Sequence, residues 1–70
     1  MSISATIKDG LGNVLGRHYA PDMTTAIKAA VKDAKFMVTS QGHVRVEIRD
    51  CLGGLRKEVF KNRDGKVVVK

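Results

Sequence analysis

The chain has 70 residues and a formal net charge of +6 at pH 7, because thirteen Lys and Arg stand against seven Asp and Glu. This length fits one domain, residues 1–70, and excludes a second. The single cysteine excludes an intramolecular disulfide, and no cluster of Cys and His indicates a structural metal.

Targeting signals are not evident in the sequence. No charged segment followed by an apolar run opens the chain, so we expect no export signal. No apolar run is long enough to span a bilayer, and no membrane partner is expected. Cys51 is interpreted as a free thiol in a reducing, cytoplasmic compartment.

The first two segments are predicted to form a β-hairpin. Asp9-Gly10 and Gly12-Asn13 favour a chain reversal between them, with Gly10 at positive φ. The second strand is predicted from Val14 to Tyr19, and its weak alternation leaves open which face is buried. The first strand shows apolar Ile3, Ala5 and Ile7 alternating with polar Ser2, Ser4, Thr6 and Lys8.

A helix is predicted after Ala20-Pro21, with Asp22 or Thr24 as its N-cap. Gly42 is the predicted C-terminal stop. The apolar stripe of this helix consists of residues at helical spacing, namely Met23, Ile27, Ala30, Val31, Ala34 and Val38.

Phe36 has two interpretations. A helix that continues through Val38 would leave the Phe36 ring exposed, as an anchor for a partner or a second copy. A helix that ends near Lys35 would let the ring enter the core. The second is favoured because the core of this aromatic-poor chain needs volume.

The second half of the chain is predicted to be all strand. From His43 to Arg49, Val44, Val46 and Ile48 share one face, opposite His43, Arg45, Glu47 and Arg49. A loop at 50–54 and a strand from Leu55 to Asn62 follow, and broken alternation predicts a bulge near Gly53-Gly54 or a late start. Asp64-Gly65 predicts a two-residue type I′ hairpin into a last strand, Val67–Val69.

These elements predict an α+β fold of order ββαβββ. It has an antiparallel four- to five-stranded sheet with one helix packed on one face. The opposite face is then available to water or to a partner.

The stretch 22–66, about two thirds of the chain, resembles two groups of proteins. Thr25-Ala26, Ala30, Ala34-Lys35, Val44-Arg45-Val46 and Gly53 resemble a family of small uncharacterised ββαββ proteins. Gln41-Gly42, Val44, Val46 and Asp64-Gly65-Lys66-Val67 are similar to phage-encoded anti-CRISPR proteins of order ββαβββ. The second resemblance implies an inhibitor of phage origin that acts by occluding a protein target.

Enzymatic patterns are weak. Cys51 has no spacing to His18 or His43 that indicates a nucleophile pair. The carboxylates are dispersed, mostly at turns and caps, and one helix on one sheet offers no walled cleft for a dyad. Gly10, Gly12 and Gly16 precede a strand, which favours hairpin geometry over a phosphate-binding loop. We therefore expect a non-enzymatic protein and no cofactor.

Two basic surfaces are the candidate sites. His43, Arg45 and Arg49 project from the sheet face opposite the helix, joined by Lys8, and suit phosphates there. An outward Tyr19 or Phe60 would add a platform for unpaired bases. Glu47 between the arginines instead favours a local ion pair on a solvated face. The rival surface is the helix flank of Lys28, Lys32 and Lys35.

These two surfaces lie on opposite sides of the sheet, so one flat footprint cannot use both. The sequence is interpreted as a small basic binding module that contacts nucleic acid or a nucleoprotein complex. The alternatives are the inhibitor of a protein target and a homo-oligomeric accessory protein that pairs through edge strands or Phe36. The sequence leaves the oligomeric state open.

Overall fold

The computed structural model describes residues 2–40 and 42–70. Within these residues the elements are β1 (Ile3–Lys8), β2 (Val14–Ala20), α1 (Met23–Phe36), β3 (Val38–Thr39), β4 (Gly42–His43), β5 (Arg45–Arg49), β6 (Leu55–Lys61) and β7 (Val67–Val69). Five strands form an antiparallel sheet of order β2-β1-β5-β6-β7, and α1 packs across one face. The predicted α+β fold is confirmed, and the short β3–β4 pair is an addition to it. Among the described residues, no helix combines the length and the apolar character that crossing a membrane requires.

The core lies between α1 and the central strands β1 and β5. Ala5 lies opposite Ile48 and Ile7 opposite Val46, so the predicted alternation of both strands is confirmed. The helix contributes mainly alanines, whose short side chains let its backbone lie close to the sheet. The buried apolar residues are Ala5, Ile7, Ala20, Ala26, Ala30, Ala34, Val44, Val46, Ile48 and Val59.

The face of β2 that the sequence left open is settled by its register with β1. His18 lies opposite Ala5 and Ala20 opposite Ile3, so both face α1. The Nε2 atom of His18 lies 3.1 Å from Oδ2 of Asp33 on the helix. This contact ties the edge strand β2 to α1, and β2 extends one residue beyond the prediction, to Ala20.

The start of α1 follows the prediction and its end does not. The carboxylate of Asp22 accepts a 2.7 Å hydrogen bond from the backbone N–H of Thr25, as an N-cap does. The helix ends at Phe36, and Met37 is already extended. Val38 therefore leaves the helical stripe and is 66% exposed, and Gly42 is not the helix stop.

The expectation that Phe36 enters the core is wrong. Its side chain is 68% exposed, although the helix ends close to the predicted position. The extended conformation of Met37 directs that residue, rather than Phe36, against the core. The β-branched pair Val38-Thr39 then favours a strand, which pairs with Gly42 and His43.

The predicted strand from His43 to Arg49 is interrupted. His43 pairs with Val38 in the small sheet, and the main strand begins only at Arg45. Val44 between them is buried, as predicted. Gln41, one of the residues of the anti-CRISPR resemblance, lies outside the described residues.

The three hairpin turns of the main sheet share one arrangement of hydrogen bonds. In each, an Asx side chain accepts hydrogen bonds from the backbone N–H groups two and four residues later, and a glycine at the third position has φ between 82° and 86°. The backbone N–H of each Asx residue also donates a hydrogen bond, 2.8–3.0 Å long, to the backbone carbonyl of the residue four positions later. The three pairs are Asp9 with Gly12, Asp50 with Gly53, and Asn62 with Gly65.

Two predictions about these turns are wrong in detail. Gly10 does not have positive φ, because the left-handed residue of that turn is Gly12. The Asp64-Gly65 turn is not type I′, since that turn needs positive φ at two residues and no described non-glycine residue has it. A type I turn followed by a left-handed glycine matches the observed hydrogen bonds.

The irregularity predicted for β6 is present, and it lies inside the strand. Ile48 pairs with Lys57, and Arg49 pairs with Leu55, which leaves Arg56 as the extra residue. The bulge is thus two residues beyond Gly54. Arg56 donates from its Nε to the Asp50 carboxylate over 2.8 Å, which anchors the bulge to the preceding turn.

Candidate nucleic-acid interface

The sheet face opposite α1, here called the open face, carries three rows of side chains across the strands. The register places Arg17, Thr6, Glu47 and Glu58 in the middle row. Tyr19, Ser4 and Arg49 form the row on one side. Lys8, Arg45, Phe60 and Val68 form the row on the other. Cationic side chains therefore border a central acidic pair.

Glu47 is the electrostatic centre of the open face. It accepts hydrogen bonds from Nζ of Lys8 at 3.2 Å and from Nη2 of Arg49 at 2.9 Å. Burial alone raises the pKa of Glu47, but the hydrogen bonds and charges of Arg49 and Lys8 outweigh it and hold the pKa below its usual value of 4.5. An ionised Glu47 thus fixes two cations that come from different strands.

Arg45 is held by a different carboxylate. Its Nη1 lies 2.7 Å from Oε1 of Glu58 on the neighbouring strand. Its guanidinium carbon lies 4.9 Å from the centre of the Phe60 ring, and Nζ of Lys70 lies 5.6 Å from the same ring. The Phe60 ring is therefore partly covered by cations and is not a free stacking surface.

Tyr19 provides the exposed ring of the open face. Its side chain belongs to β2 and is 66% exposed, in the row that contains Arg49. Arg17, two residues earlier on the same strand, donates from its Nε to the Thr6 hydroxyl over 3.2 Å. Thr6 is 4% exposed, whereas Arg17 itself remains exposed to solvent.

The structure brings together some of the predicted basic residues and separates others. Lys8, Arg45 and Arg49 share the open face, as the alternation predicted. His43 belongs to the β3–β4 pair, although it borders the same groove as Lys8 and Arg45. The three lysines of α1 are exposed on the other side of the sheet, namely Lys28, Lys32 and Lys35.

The predicted ion pair of Glu47 with the arginines is correct for Arg49 alone. Arg45 pairs with Glu58 instead, and Lys8 is the second partner of Glu47. Glu47 and Glu58 also lie directly opposite each other on β5 and β6, so these two carboxylates are not dispersed as expected from the sequence. Their cationic partners offset the repulsion that like charges in this position produce.

The other chemical candidates lie apart. Cys51 is exposed in the turn that follows β5, whereas His43 precedes β5, so the two lie beyond opposite ends of one strand. His18 contacts Asp33 on the helix side. Across residues 2–40 and 42–70, no group of three His, Cys, Asp or Glu side chains is placed to hold a metal ion.

The sequence analysis does not identify Arg17 as an open-face residue. It assigns Tyr19 a role only if its ring points away from the helix. The pattern Arg17-His18-Tyr19 contains the signal, since residues 17 and 19 alternate with His18. Without the register to β1, nothing decided which of the two sets faces the helix.

Comparisons with protein-family models, with curated proteins and with solved structures yielded no match to this chain.

Proposed function

We propose that this protein binds unpaired nucleic acid on its open face. The observation that carries the proposal is an exposed aromatic ring, Tyr19, set among arginines on a sheet surface. Single-stranded nucleic acid is bound by this combination, in which cations contact the backbone phosphates and a ring stacks on a base. Each stacked base contributes about 1–3 kcal/mol.

The charge of the open face supports phosphate binding despite its ion pairs. Lys8, Arg17, Arg45 and Arg49 outnumber the two carboxylates, Glu47 and Glu58. A guanidinium has five N–H donors, and a contact to one carboxylate leaves others for a phosphate. The acidic residues thus orient the arginines, which lowers the entropy lost when a phosphate binds.

The test is a salt titration of binding by fluorescence anisotropy. Labelled DNA and RNA strands of mixed sequence, with a duplex for comparison, are titrated with wild type, Arg45→Ala and Arg49→Ala. Because phosphate contacts carry no base information, each variant should bind all strands more weakly to a similar degree. The slope of log K against log salt should fall by about 0.7 for each lost contact with a single strand.

Two further variants separate stacking and net charge from phosphate contact. Tyr19→Leu should weaken binding to single strands without changing the salt slope. Lys32→Ala removes the same unit of charge from the helix, on the other side of the sheet, and should leave binding nearly unchanged. Equal losses in Lys32→Ala and Arg49→Ala would mean that net charge, rather than the open face, governs binding.

The proposal fails if wild type binds no strand at about 50 mM salt, where electrostatic attraction is stronger than at physiological salt. A pull-down from a host lysate with and without nuclease gives the complementary result. A partner lost on nuclease treatment supports the proposal. A nuclease-resistant protein partner that depends on Arg45 and Arg49 would replace it with the inhibitor interpretation.

A further inference from the structure

The strand β2 forms one edge of the main sheet. Within residues 2–40 and 42–70, its only strand neighbour is β1. It has seven residues, Val14–Ala20, and contains neither proline nor lysine. Short length, proline and lysine are features that keep edge strands from pairing with other chains, and β2 has none of them.

The opposite edge of the sheet is protected by these same features. The strand β7 has three residues, Val67–Val69. Lys66 precedes it and Lys70 follows it. A second chain would find few backbone groups and two cations there, so β2 is the edge suited to pairing.

The backbone of β2 directs particular groups away from the sheet. Asp9 donates from its N–H to the carbonyl of Asn13 over 3.0 Å, across the first hairpin. Because backbone groups alternate between the two edges of an antiparallel strand, every second residue before Asp9 also bonds toward β2, namely Ile7, Ala5 and Ile3. Their partners on β2 are Gly16, His18 and Ala20. The N–H and C=O groups of Arg17 and Tyr19 therefore point outward.

A β-bulge limits the regular part of this edge. Ile7 pairs with Gly16 and Lys8 pairs with Val14, so Leu15 is an extra residue. Regular pairing on the outer side of β2 is thus confined to residues 16–20. In this segment the outward-facing residues supply two backbone donors and two backbone acceptors.

We infer that two copies of this chain pair through β2, antiparallel and centred on His18. In this register Arg17 of each copy lies opposite Tyr19 of the other, and their outward backbone groups form four hydrogen bonds. A shift of two residues in one direction would place Arg17 opposite Arg17, which is a repulsive pair. A shift in the other direction would place Arg17 opposite Pro21, which has no N–H.

The side chains on the open face fit the register centred on His18. Arg17 is exposed and the Tyr19 side chain is 66% exposed in the single chain. Each cross-strand pair brings a guanidinium beside a tyrosine ring, which is a favourable cation–π arrangement. The two open faces then form one continuous surface, but dimerisation itself does not depend on the proposed nucleic-acid binding.

The helix side also accommodates the second copy. Gly16 lies opposite Ala20, so small residues meet at both ends of the paired segment. A Cβ built at Gly16 has no heavy atom within 4 Å. The two His18 residues lie opposite each other at the centre, and Nε2 of each lies 3.1 Å from the Asp33 carboxylate of its own helix.

The experiment is sedimentation equilibrium of the whole chain without nucleic acid. Salt at about 0.15 M, where the Debye length is about 8 Å, screens the net charge of +6 on each copy. One short strand pair makes a small interface, so we expect a dissociation constant between about 1 μM and 1 mM. Protein is therefore measured up to about 1 mM, where wild type should approach twice the mass of one chain.

Three variants test the register. Tyr19→Lys places a lysine opposite Arg17 at two points and should weaken dimerisation about tenfold. Arg17→Glu combined with Tyr19→Lys places opposite charges there and should restore it. Val68→Lys adds the same charge to the open face of the other edge strand and should dimerise as wild type does. Thermal midpoints establish that the variants are folded.

Amide hydrogen exchange locates the interface. The N–H groups of Arg17 and Tyr19 should exchange more slowly as the protein concentration rises. The N–H of His18, which bonds toward β1, should exchange at a rate that depends little on concentration.

The inference is overturned if wild type keeps the mass of one chain at about 1 mM, or if exchange of Arg17 and Tyr19 does not depend on concentration. Equal weakening by Tyr19→Lys and Val68→Lys, or no restoration in the double variant, also overturns it. A wild type that stays a monomer and binds single strands refutes the dimer alone. A dimer that binds no strand refutes the proposed function alone.

Discussion

Gly53→Ala is expected to destabilise the protein without any steric clash. Gly53 has a φ of +85°, and a Cβ built at this position meets no heavy atom within 4 Å. The cost is therefore that of a left-handed L-residue, about 1–2 kcal/mol. For a domain of this size, 1.5 kcal/mol lowers the thermal midpoint by about 6–12 °C.

Gly16→Ala is the matched control. Gly16 lies in β2 at negative φ, and the space around its Cβ position is also open. The added methyl group lowers the entropy of the unfolded chain, so this variant should gain about 0.4–1 kcal/mol. Gly53→Asn should lose less than Gly53→Ala, because asparagine tolerates left-handed backbone. Calorimetric and urea unfolding measure all three, and a Gly53→Ala protein as stable as wild type would refute the described turn.

Three more perturbations test other parts of the fold. Val46→Asp should prevent folding because it places a carboxylate under α1 at a fully buried position. A cooperative thermal transition at the wild-type midpoint, measured by circular dichroism, would contradict the strand register. Cys51→Ser should change stability by less than about 0.5 kcal/mol, since Cys51 is exposed; loss of partner binding would revive a role for the thiol. The hydrogen bond from Asn13 holds the pKa of Asp9 below 3.8, so its stabilising contribution is present above that pH and disappears as the pH falls through the folded-state pKa. Asp9→Asn should accordingly make the thermal midpoint less dependent on pH in acid, and an acid dependence identical to wild type would show that this turn does not contribute.

The strands with regular alternation were predictable from the sequence because only one of their two faces is buried. In the segments Ile3–Ile7 and Val44–Ile48, each apolar residue has polar neighbours, so one register alone buries the apolar set. The helix start was predictable to within two residues, since Asp22 and Thr24 are both N-cap residues that follow a proline and precede apolar residues at helical spacing.

The helix end was not predictable from spacing. Val38 continues the helical stripe in sequence, yet its strand pairing with His43 ends the helix at Phe36. Competition between a helical period and a short hairpin depends on tertiary contacts, which a single sequence does not contain.

The ion pairs of the candidate site depend on register in the same way. Lys8 and Glu47 are 39 residues apart in sequence and meet only because β1 pairs with β5. The turn design, in contrast, was visible in the sequence. An Asx residue precedes a glycine by three positions in all three hairpins of the main sheet.

The pairing of β1 with β5 also bears on how the chain folds. Each of the other neighbouring pairs in the main sheet is joined by a short turn, and such hairpins form within about 1–10 μs. The pairing of β1 with β5 instead closes a loop that includes the whole helix. The conformational entropy of this loop must be lost before the apolar core forms. We expect this pairing to set the folding rate, so substitutions along it should slow refolding, whereas changes in the turns should mainly accelerate unfolding.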